Sequence, residues 1–156
     1  APVLTTIHAA GGPSMLKAAA AAAQAGAAKW NVPRPKLLGI TVLTSISEAE
    51  WATIGHTSAV RDSVIRLATL CREAGVDGVV ASPQEAAAIR AACGRDFLIV
   101  TPGVRPAGGD IGDQSRVATP AQALADGADF LVVGRPILAA PDPRAAALAI
   151  LKEMEG

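Results

Sequence analysis

Short apolar runs rich in β-branched residues alternate with alanine-rich stretches along the whole chain. The runs are continuous rather than alternately polar, which is typical of strands covered on both faces. They predict strands over residues 3–8, 37–43, 78–81, 97–101 and 130–133. The stretches between them predict helices over residues 14–25, 47–54, 59–74, 84–92, 121–125 and 143–154. This alternation favours an α/β fold with an all-parallel sheet.

The joints between these elements repeat a short signature. Ala-Gly-Val-Asp-Gly-Val-Val at 74–80 and Asp-Gly-Ala-Asp-Phe-Leu-Val at 126–132 each place a glycine where a helix ends and a strand follows, and Ala-Gly-Ala at 25–27 is a partial third copy. Glycine is favoured there because a left-handed residue commonly ends a helix. Three helix starts place an N-cap before a proline: Ser82, Thr119 and Asp142.

Two parallel architectures fit this repeat. Five units in 156 residues give about 31 residues per unit, the spacing of a (β/α)₈ barrel of about 250 residues. A five-stranded doubly wound sheet has similar spacing. The spacing alone leaves both open, and we expect residues 1–156 to form a single domain in either case.

Charge and composition exclude several classes of protein. Fourteen basic residues balance fourteen acidic ones, which argues against a nucleic-acid-binding protein. The longest apolar stretch, residues 18–23, is too short to span a membrane, and no signal peptide is visible, so we expect a cytoplasmic protein. Two cysteines, Cys71 and Cys93, are too few for a disulfide framework and are expected in the core.

Several kinds of chemistry lack their motif. We expect no metal, because no His, Cys and carboxylate cluster has ligand spacing. The chain has neither a Gly-x-Ser-x-Gly elbow for triad hydrolysis nor a Gly-x-Gly-x-x-Gly dinucleotide fingerprint. None of the four lysines follows a predicted strand beside a carboxylate, so a proton-transfer centre is not visible.

Candidate binding residues follow the predicted strands, because parallel α/β folds collect functional groups where strands end. Gly134 allows a ligand to approach the backbone, Arg135 offers a two-pronged phosphate donor, and residues 137–140 are expected to form a short helical turn with its N–H groups aimed the same way. His8 ends the first strand and is expected to be structural, and His56 is expected in a solvated loop.

The segment 102–119 is a long loop, rich in glycine and proline and without a helical or strand period. Loops of this length within a compact domain are usually functional. We therefore expect it to close over an anionic ligand with the polar groups Arg105, Asp110, Asp113, Gln114 and Arg116.

Taken in order, the strand-end motifs resemble one enzyme family. They are His-Ala-Ala-Gly-Gly at 8–12, Thr-Val-Leu-Thr-Ser at 41–45, Gly-Val-Val-Ala-Ser-Pro-Gln-Glu at 78–85, Thr-Pro-Gly-Val-Arg-Pro at 101–106, Gly-Asp-Gln at 112–114 and Val-Gly-Arg-Pro-Ile at 133–137. The set resembles bacterial orotidine 5′-monophosphate decarboxylases over essentially the whole chain.

This resemblance implies a (β/α)₈ barrel, usually a homodimer, that converts orotidine monophosphate to uridine monophosphate in pyrimidine biosynthesis without a cofactor. It implies that Arg135, Gly134 and Gln114 hold the phosphate, that Arg105 belongs to a mobile phosphate loop spanning 102–119, and that Thr44 and Ser45 lie at the pyrimidine and ribose end. His8 has a secondary place nearby.

The chain departs from the family at the catalytic centre. The family's Asp-x-Lys-x-x-Asp pattern, whose lysine protonates the carbanion left by carbon dioxide, does not occur in this sequence. We therefore expect five of eight units, the C-terminal part of the barrel, with three N-terminal units and all catalytic residues absent, and an inactive isolated chain. The alternatives are a non-catalytic nucleotide-binding partial barrel and another phosphate-binding barrel enzyme, such as a keto-gulonate-phosphate decarboxylase or a ribulose-phosphate epimerase relative.

Overall fold

The computed structural model describes residues 2–106 and 116–155 of the chain. Five strands form one sheet in sequence order, and every neighbouring pair is parallel. They are β1 (Leu4–His8), β2 (Lys36–Ile40), β3 (Gly78–Val80), β4 (Leu98–Thr101) and β5 (Phe130–Leu131). The predicted α/β fold and all five predicted strands are confirmed, and β1 and β5 form the edges of the sheet as described.

Helices connect successive strands. They are α1 (Gly12–Trp30), α2 (Glu48–Thr53), α3 (Val60–Glu73), α4 (Pro83–Cys93), α5 (Pro120–Ala125), α6 (Arg135–Leu138) and α7 (Pro143–Glu155), with a 3₁₀ turn at Ala9–Gly11. The hydroxyls of Ser82 and Thr119 accept N–H groups in the first turns of α4 and α5, and Asp142 accepts the N–H of Ala145. The three predicted N-caps are therefore confirmed. None of the helices in the described part of the chain is long and apolar enough to cross a membrane.

The first helix differs from the prediction. Gly26 does not end α1, which continues to Trp30 and ends at Asn31 in the left-handed conformation, with φ 48°. The prediction that Ala-Gly-Ala at 25–27 is a partial third copy of the joint is therefore wrong. Its neighbour Ala27 is buried, and Asn31 donates its backbone N–H to the Ala27 and Ala28 carbonyls. Tertiary packing of the last turn outweighs the modest helix penalty of one glycine.

The two full copies of the joint share one geometry, which explains their common sequence. Gly75 and Gly127 have φ of 82° and 104°, so each helix ends in the predicted left-handed glycine. Two residues later an aspartate accepts a backbone N–H from the neighbouring strand: Asp77 from Leu37 at 2.9 Å, and Asp129 from Ile99 at 2.7 Å. An arginine completes each joint, Arg34 on Asp77 and Arg90 on Asp129.

The main core lies between the sheet and the helices α1, α3 and α4. Val79 and Ile99 are fully buried in it, and Cys71 and Cys93 lie in the same cluster, as predicted. Burial raises the pKa of the Cys71 thiol to about 11, with the nearby Cys93 adding to the shift. A smaller core of Val104, Ala123 and Ala128 supports β5, whose Phe130 is about half exposed.

Candidate functional site at the carboxyl edge of the sheet

A cavity of about 250 Å³ opens where β2, β3 and β4 end. Thr44 and Ser45 of the loop after β2, Val80 and Ala81 at the end of β3, and Pro102 after β4 are among the residues that line it. Parallel strands direct their carboxyl ends to one edge, so residues distant in sequence meet here. Thr44 is buried and Ser45 is exposed, which places two hydroxyls at different depths of one pocket.

The loop that carries the two hydroxyls begins where β2 leaves the sheet. The backbone N–H and the hydroxyl of Thr41 both donate to the Val80 carbonyl, at 3.1 and 2.8 Å. This fixes the first residue of the loop against β3. Val42 is buried and Leu43 is half exposed, so the chain turns outward before it reaches Thr44.

The two ends of the 102–119 loop are held together by the backbone. Val104 forms a parallel bridge with Ala118, and the N–H of Arg105 donates to the Ala118 carbonyl at 3.0 Å. The Arg105 side chain is buried and donates to the Val104 carbonyl at 2.9 Å. Arg105 therefore lies at the base of this loop, and it is not among the residues that line the 250 Å³ cavity.

Arg116 occupies a different place from the one expected. It donates from Nη1 to Glu85 Oε1 at 2.7 Å in a buried ion pair, and from Nη2 to the Leu43 carbonyl at 2.8 Å and the Val42 carbonyl at 3.3 Å. The expectation that Arg116 closes over an anion is therefore wrong, because its charge is already matched by Glu85. Burial raises the pKa of Glu85 even though the Arg116 guanidinium opposes that shift.

Gly134 and Arg135 follow β5 and begin α6, at the same edge of the sheet. Arg135 is exposed and does not line the cavity of Thr44 and Ser45. The helical turn begins at residue 135 instead of 137, and the N–H groups of Ile137 and Leu138 both donate to the Gly134 carbonyl at 3.0 Å. These two amides are thus used within the turn, which corrects the expectation that they point outward to a ligand.

His8 opens on a second, neighbouring cavity of about 370 Å³ between the ends of β1 and β2 and the helices α2 and α3. Trp51 and His56 also line it, and their rings stack with centroids 3.6 Å apart and planes 4° apart. His56 is exposed, as expected, but is held by this ring contact. The cavity is mainly apolar and shares Ile40, Val42 and Leu43 with the 250 Å³ cavity, but neither Thr44 nor Ser45 lines it.

Three of the expected polar groups, Asp110, Asp113 and Gln114, lie outside the described residues. The lysines are all described, and none lies at the carboxyl edge: Lys17 and Lys29 are on α1, Lys152 is on α7, and Lys36 starts β2 at the opposite edge, beside Asp77. In the two described ranges, no group of three or more His, Cys, Asp or Glu side chains is placed to hold a metal ion.

Sequence reasoning missed the role of Glu85. The residue was visible only as part of Ser-Pro-Gln-Glu at the start of α4, where an acidic residue usually faces solvent beside the helix dipole. Its partner is 31 positions away, and nothing local in the sequence connects the two. The burial of Glu85 follows from how α4 packs, so the sequence alone contained no signal that could have identified it.

Comparisons with known proteins identify the family and the fold. A family model described as "Orotidine 5′-phosphate decarboxylase / HUMPS family" matches residues 3–150. The orotidine 5′-phosphate decarboxylase of Moorella thermoacetica is 59% identical over 97% of this chain and 61% of its own length. That of Thermobifida fusca is 52% identical over 99% of this chain and 63% of its own length.

A solved structure of orotidine 5′-phosphate decarboxylase from Lactobacillus acidophilus superimposes with a TM-score of 0.80 at 39% identity, covering 99% of this chain and 64% of that one. The chain therefore spans about three fifths of the length of these relatives. The five-stranded parallel sheet corresponds to about three fifths of their barrel fold. This match decides in favour of the barrel over the doubly wound sheet. The chain belongs to the orotidine 5′-phosphate decarboxylase family.

Proposed function

We propose that this chain supplies the phosphate-binding part of an orotidine 5′-monophosphate decarboxylase, a lyase of pyrimidine biosynthesis. The observation that carries the proposal is the carboxyl-edge cavity, which is lined by Thr44 and Ser45 of the loop after β2 and by Pro102 at the start of the 102–119 segment. A pyrimidine nucleoside monophosphate has a planar base with a polar edge, a ribose that forms hydrogen bonds and a dianionic phosphate. The cavity with the neighbouring Gly134 and Arg135 offers a complement to each.

In this proposal Thr44 and Ser45 contact the pyrimidine and ribose, while Gly134, Arg135 and Gln114 hold the phosphate. Arg135 suits that task because a guanidinium donates two parallel hydrogen bonds to a phosphate. The segment 102–119 is the phosphate-binding loop, with Arg105 at its base. His8 lies close to the site but has no direct role.

The decarboxylation step needs a proton donor for the carbanion left when carbon dioxide departs. The family supplies a lysine for this between two aspartates, and the four lysines of this chain lie on outer helices or at the opposite edge of the sheet. We propose that the isolated chain binds the nucleotide without turning it over. The active parent enzyme, a homodimer as in the family, obtains its Asp-x-Lys-x-x-Asp from other βα units and uses no metal or cofactor.

The test measures two quantities on the 156-residue chain. Turnover of orotidine monophosphate is followed by its ultraviolet absorbance, and affinity for uridine monophosphate by calorimetry. The expected result is binding without turnover, with the affinity reduced about tenfold or more in Arg135→Ala. Arg144→Ala, an exposed arginine on α7, is the matched control and should bind as the unaltered chain does.

Two outcomes contradict the proposal. Turnover that Arg135→Ala abolishes shows that the chain has its own catalytic group. Failure of the unaltered, folded chain to bind uridine monophosphate shows that the phosphate-binding site is not contained in it. If binding occurs in a monodisperse sample that unfolds in one sharp thermal transition, the chain acts as a self-sufficient nucleotide-binding module, the second candidate.

A further inference from the structure

The buried pair of Arg116 and Glu85 joins three segments that border the proposed nucleotide site. The guanidinium reaches Glu85 on α4 and the carbonyls of Val42 and Leu43 just before Thr44. The backbone carbonyl of Arg116 accepts a hydrogen bond from the hydroxyl of Ser82, the N-cap of α4 after β3, at 3.3 Å. A single residue at the end of the 102–119 loop thus contacts the loops after β2 and β3.

Those contacts are costly, which argues that they do more than stabilise the fold. Arg116 and Glu85 are 9% and 4% exposed, so both charges are removed from water. Within the described residues, Arg116 Nε and Glu85 Oε2 are buried without hydrogen-bond partners. An apolar pair of similar volume often stabilises a protein as well as a buried ion pair does. The distinctive property of the guanidinium is its fixed fork, which reaches a carboxylate and two carbonyls simultaneously.

We infer that Arg116 is a positioning residue that sets the Thr44–Ser45 hydroxyls at a fixed distance from the Val104–Ala118 bridge at the described ends of the 102–119 segment, with Glu85 as its counter-ion. This inference rests on the proposed function, because those two segments contact opposite ends of the nucleotide there. Fixing their separation pre-organises the site for a ligand that spans both ends. It does not matter for inorganic phosphate, which occupies one end only.

The informative variant is Arg116→Lys. A lysine keeps a positive charge beside Glu85, but its single ammonium cannot reproduce the fork that contacts Glu85 and both carbonyls. The affinity for uridine monophosphate should fall about tenfold, and the affinity for inorganic phosphate should not change. Amide hydrogen exchange at residues 43–45 should become faster, while the midpoint of thermal unfolding moves little.

Arg72→Lys is the matched control. Arg72 is an exposed arginine on α3 with one long hydrogen bond, 3.3 Å to the Ala92 carbonyl, and its substitution should alter none of the four measurements. If Arg116→Lys fails to fold, the double variant Glu85→Gln with Arg116→Gln removes both buried charges together. It should retain the fold and show the same selective loss of nucleotide affinity.

The inference is overturned if a folded Arg116 variant binds uridine monophosphate normally with unchanged exchange at residues 43–45. It is also overturned if nucleotide and phosphate affinities fall by the same factor, which indicates general loss of structure. If the unaltered chain does not bind uridine monophosphate, the proposed function fails. The exchange at residues 43–45 then still decides whether Arg116 holds the β2 loop.

Discussion

At the amino edge of the sheet, where the strands begin, charged side chains hold the backbone of the strands. At the carboxyl edge, where the strands end, charged side chains hold the loops. Asp77 and Asp129 each accept a strand N–H and an arginine. Arg90 alone donates to four carbonyls and to Asp129. At the other edge Arg116 and Glu85 retain buried polar atoms without partners in the described chain.

This difference in the pairing of polar groups distinguishes a region that stabilises the fold from a region that binds a ligand. Polar groups that serve only stability are expected to be fully paired, because each unpaired buried group costs free energy. Unpaired polar atoms persist where geometry is selected for another reason. Substitutions at the amino edge should therefore lower stability and leave nucleotide affinity unchanged, whereas substitutions of side chains that line the proposed nucleotide cavity should lower the affinity with little change in stability.

The largest effect is expected for Gly78→Ala at the amino edge. A Cβ at Gly78 would collide with the backbone carbonyl of Leu98 on the adjacent strand, which cannot move without breaking the β3–β4 pairing. The free energy of unfolding in urea should fall by about 3 kcal/mol.

Gly26→Ala is the control for this substitution. Gly26 lies within α1, and its added Cβ would meet no atom within 4 Å. That variant should be more stable by up to about 1 kcal/mol, because alanine is the better helix former. Equal effects of the two substitutions would show that strand pairing at Gly78 does not limit stability.

Arg90→Met should give the next largest loss. It removes five hydrogen bonds of 2.7–3.0 Å that join the end of α4 to the starts of β4 and β5. We expect a loss of about 2 kcal/mol in the free energy of unfolding and no change in affinity for uridine monophosphate. Arg72→Met, which removes one 3.3 Å bond, should change neither. A drop in nucleotide affinity in Arg90→Met would show that the two edges are coupled.

Most features of the amino edge could be predicted from the sequence. The repeated Gly-x-Asp joints are local, so the glycine caps and the strands that follow them were predicted, and both are confirmed at Gly75 and Gly127. The pairing of each aspartate with a strand N–H was not predicted, because it depends on which strands become neighbours. Gly26 shows the opposite failure, since a local glycine signal was overridden by the packing of Ala27.

Only some features of the carboxyl edge could be predicted from the sequence. The strand-end positions of Thr44, Ser45, Gly134 and Arg135 follow from the repeat, and the fold places them at that edge. Their contacts with a nucleotide, like those of Arg105 and Gln114, stay predictions. Arg116 was expected to close over an anion because it lies among the polar groups of a long loop, and loops of that length are usually functional. Its actual partner, Glu85 at the start of α4, is 31 positions away and is brought to it only by the fold.

The acid sensitivity of the amino edge provides a smaller effect. Burial raises the pKa of Asp77, but the hydrogen bonds from the Leu37 N–H, Arg34 and Lys36 outweigh it and hold the pKa below the ordinary value. The resulting stabilisation is complete above the ordinary pKa of about 4 and is lost as the pH falls through the lower folded-state pKa.

The measurement compares the unaltered chain with Asp77→Asn in urea at several pH values. At neutral pH the unaltered chain should be more stable by about 1 kcal/mol, a modest value because the ion pairs are partly exposed. The difference should shrink as the pH falls below about 4. A difference that does not vary with pH would show that the Asp77 carboxylate contributes no charge-dependent stability.

The smallest effect separates two threonines three residues apart. Thr44 lines the proposed nucleotide cavity, whereas Thr41 lines the neighbouring cavity of His8 and Trp51 and donates to the Val80 carbonyl. Thr44→Val should lower the affinity for uridine monophosphate about threefold, the effect of one neutral hydrogen bond. Thr41→Val should lower the free energy of unfolding instead and leave the affinity unchanged. If both substitutions lower the affinity equally, or neither does, the base and ribose do not bind in the cavity lined by Thr44 and Pro102. The proposed orientation of the nucleotide is then wrong.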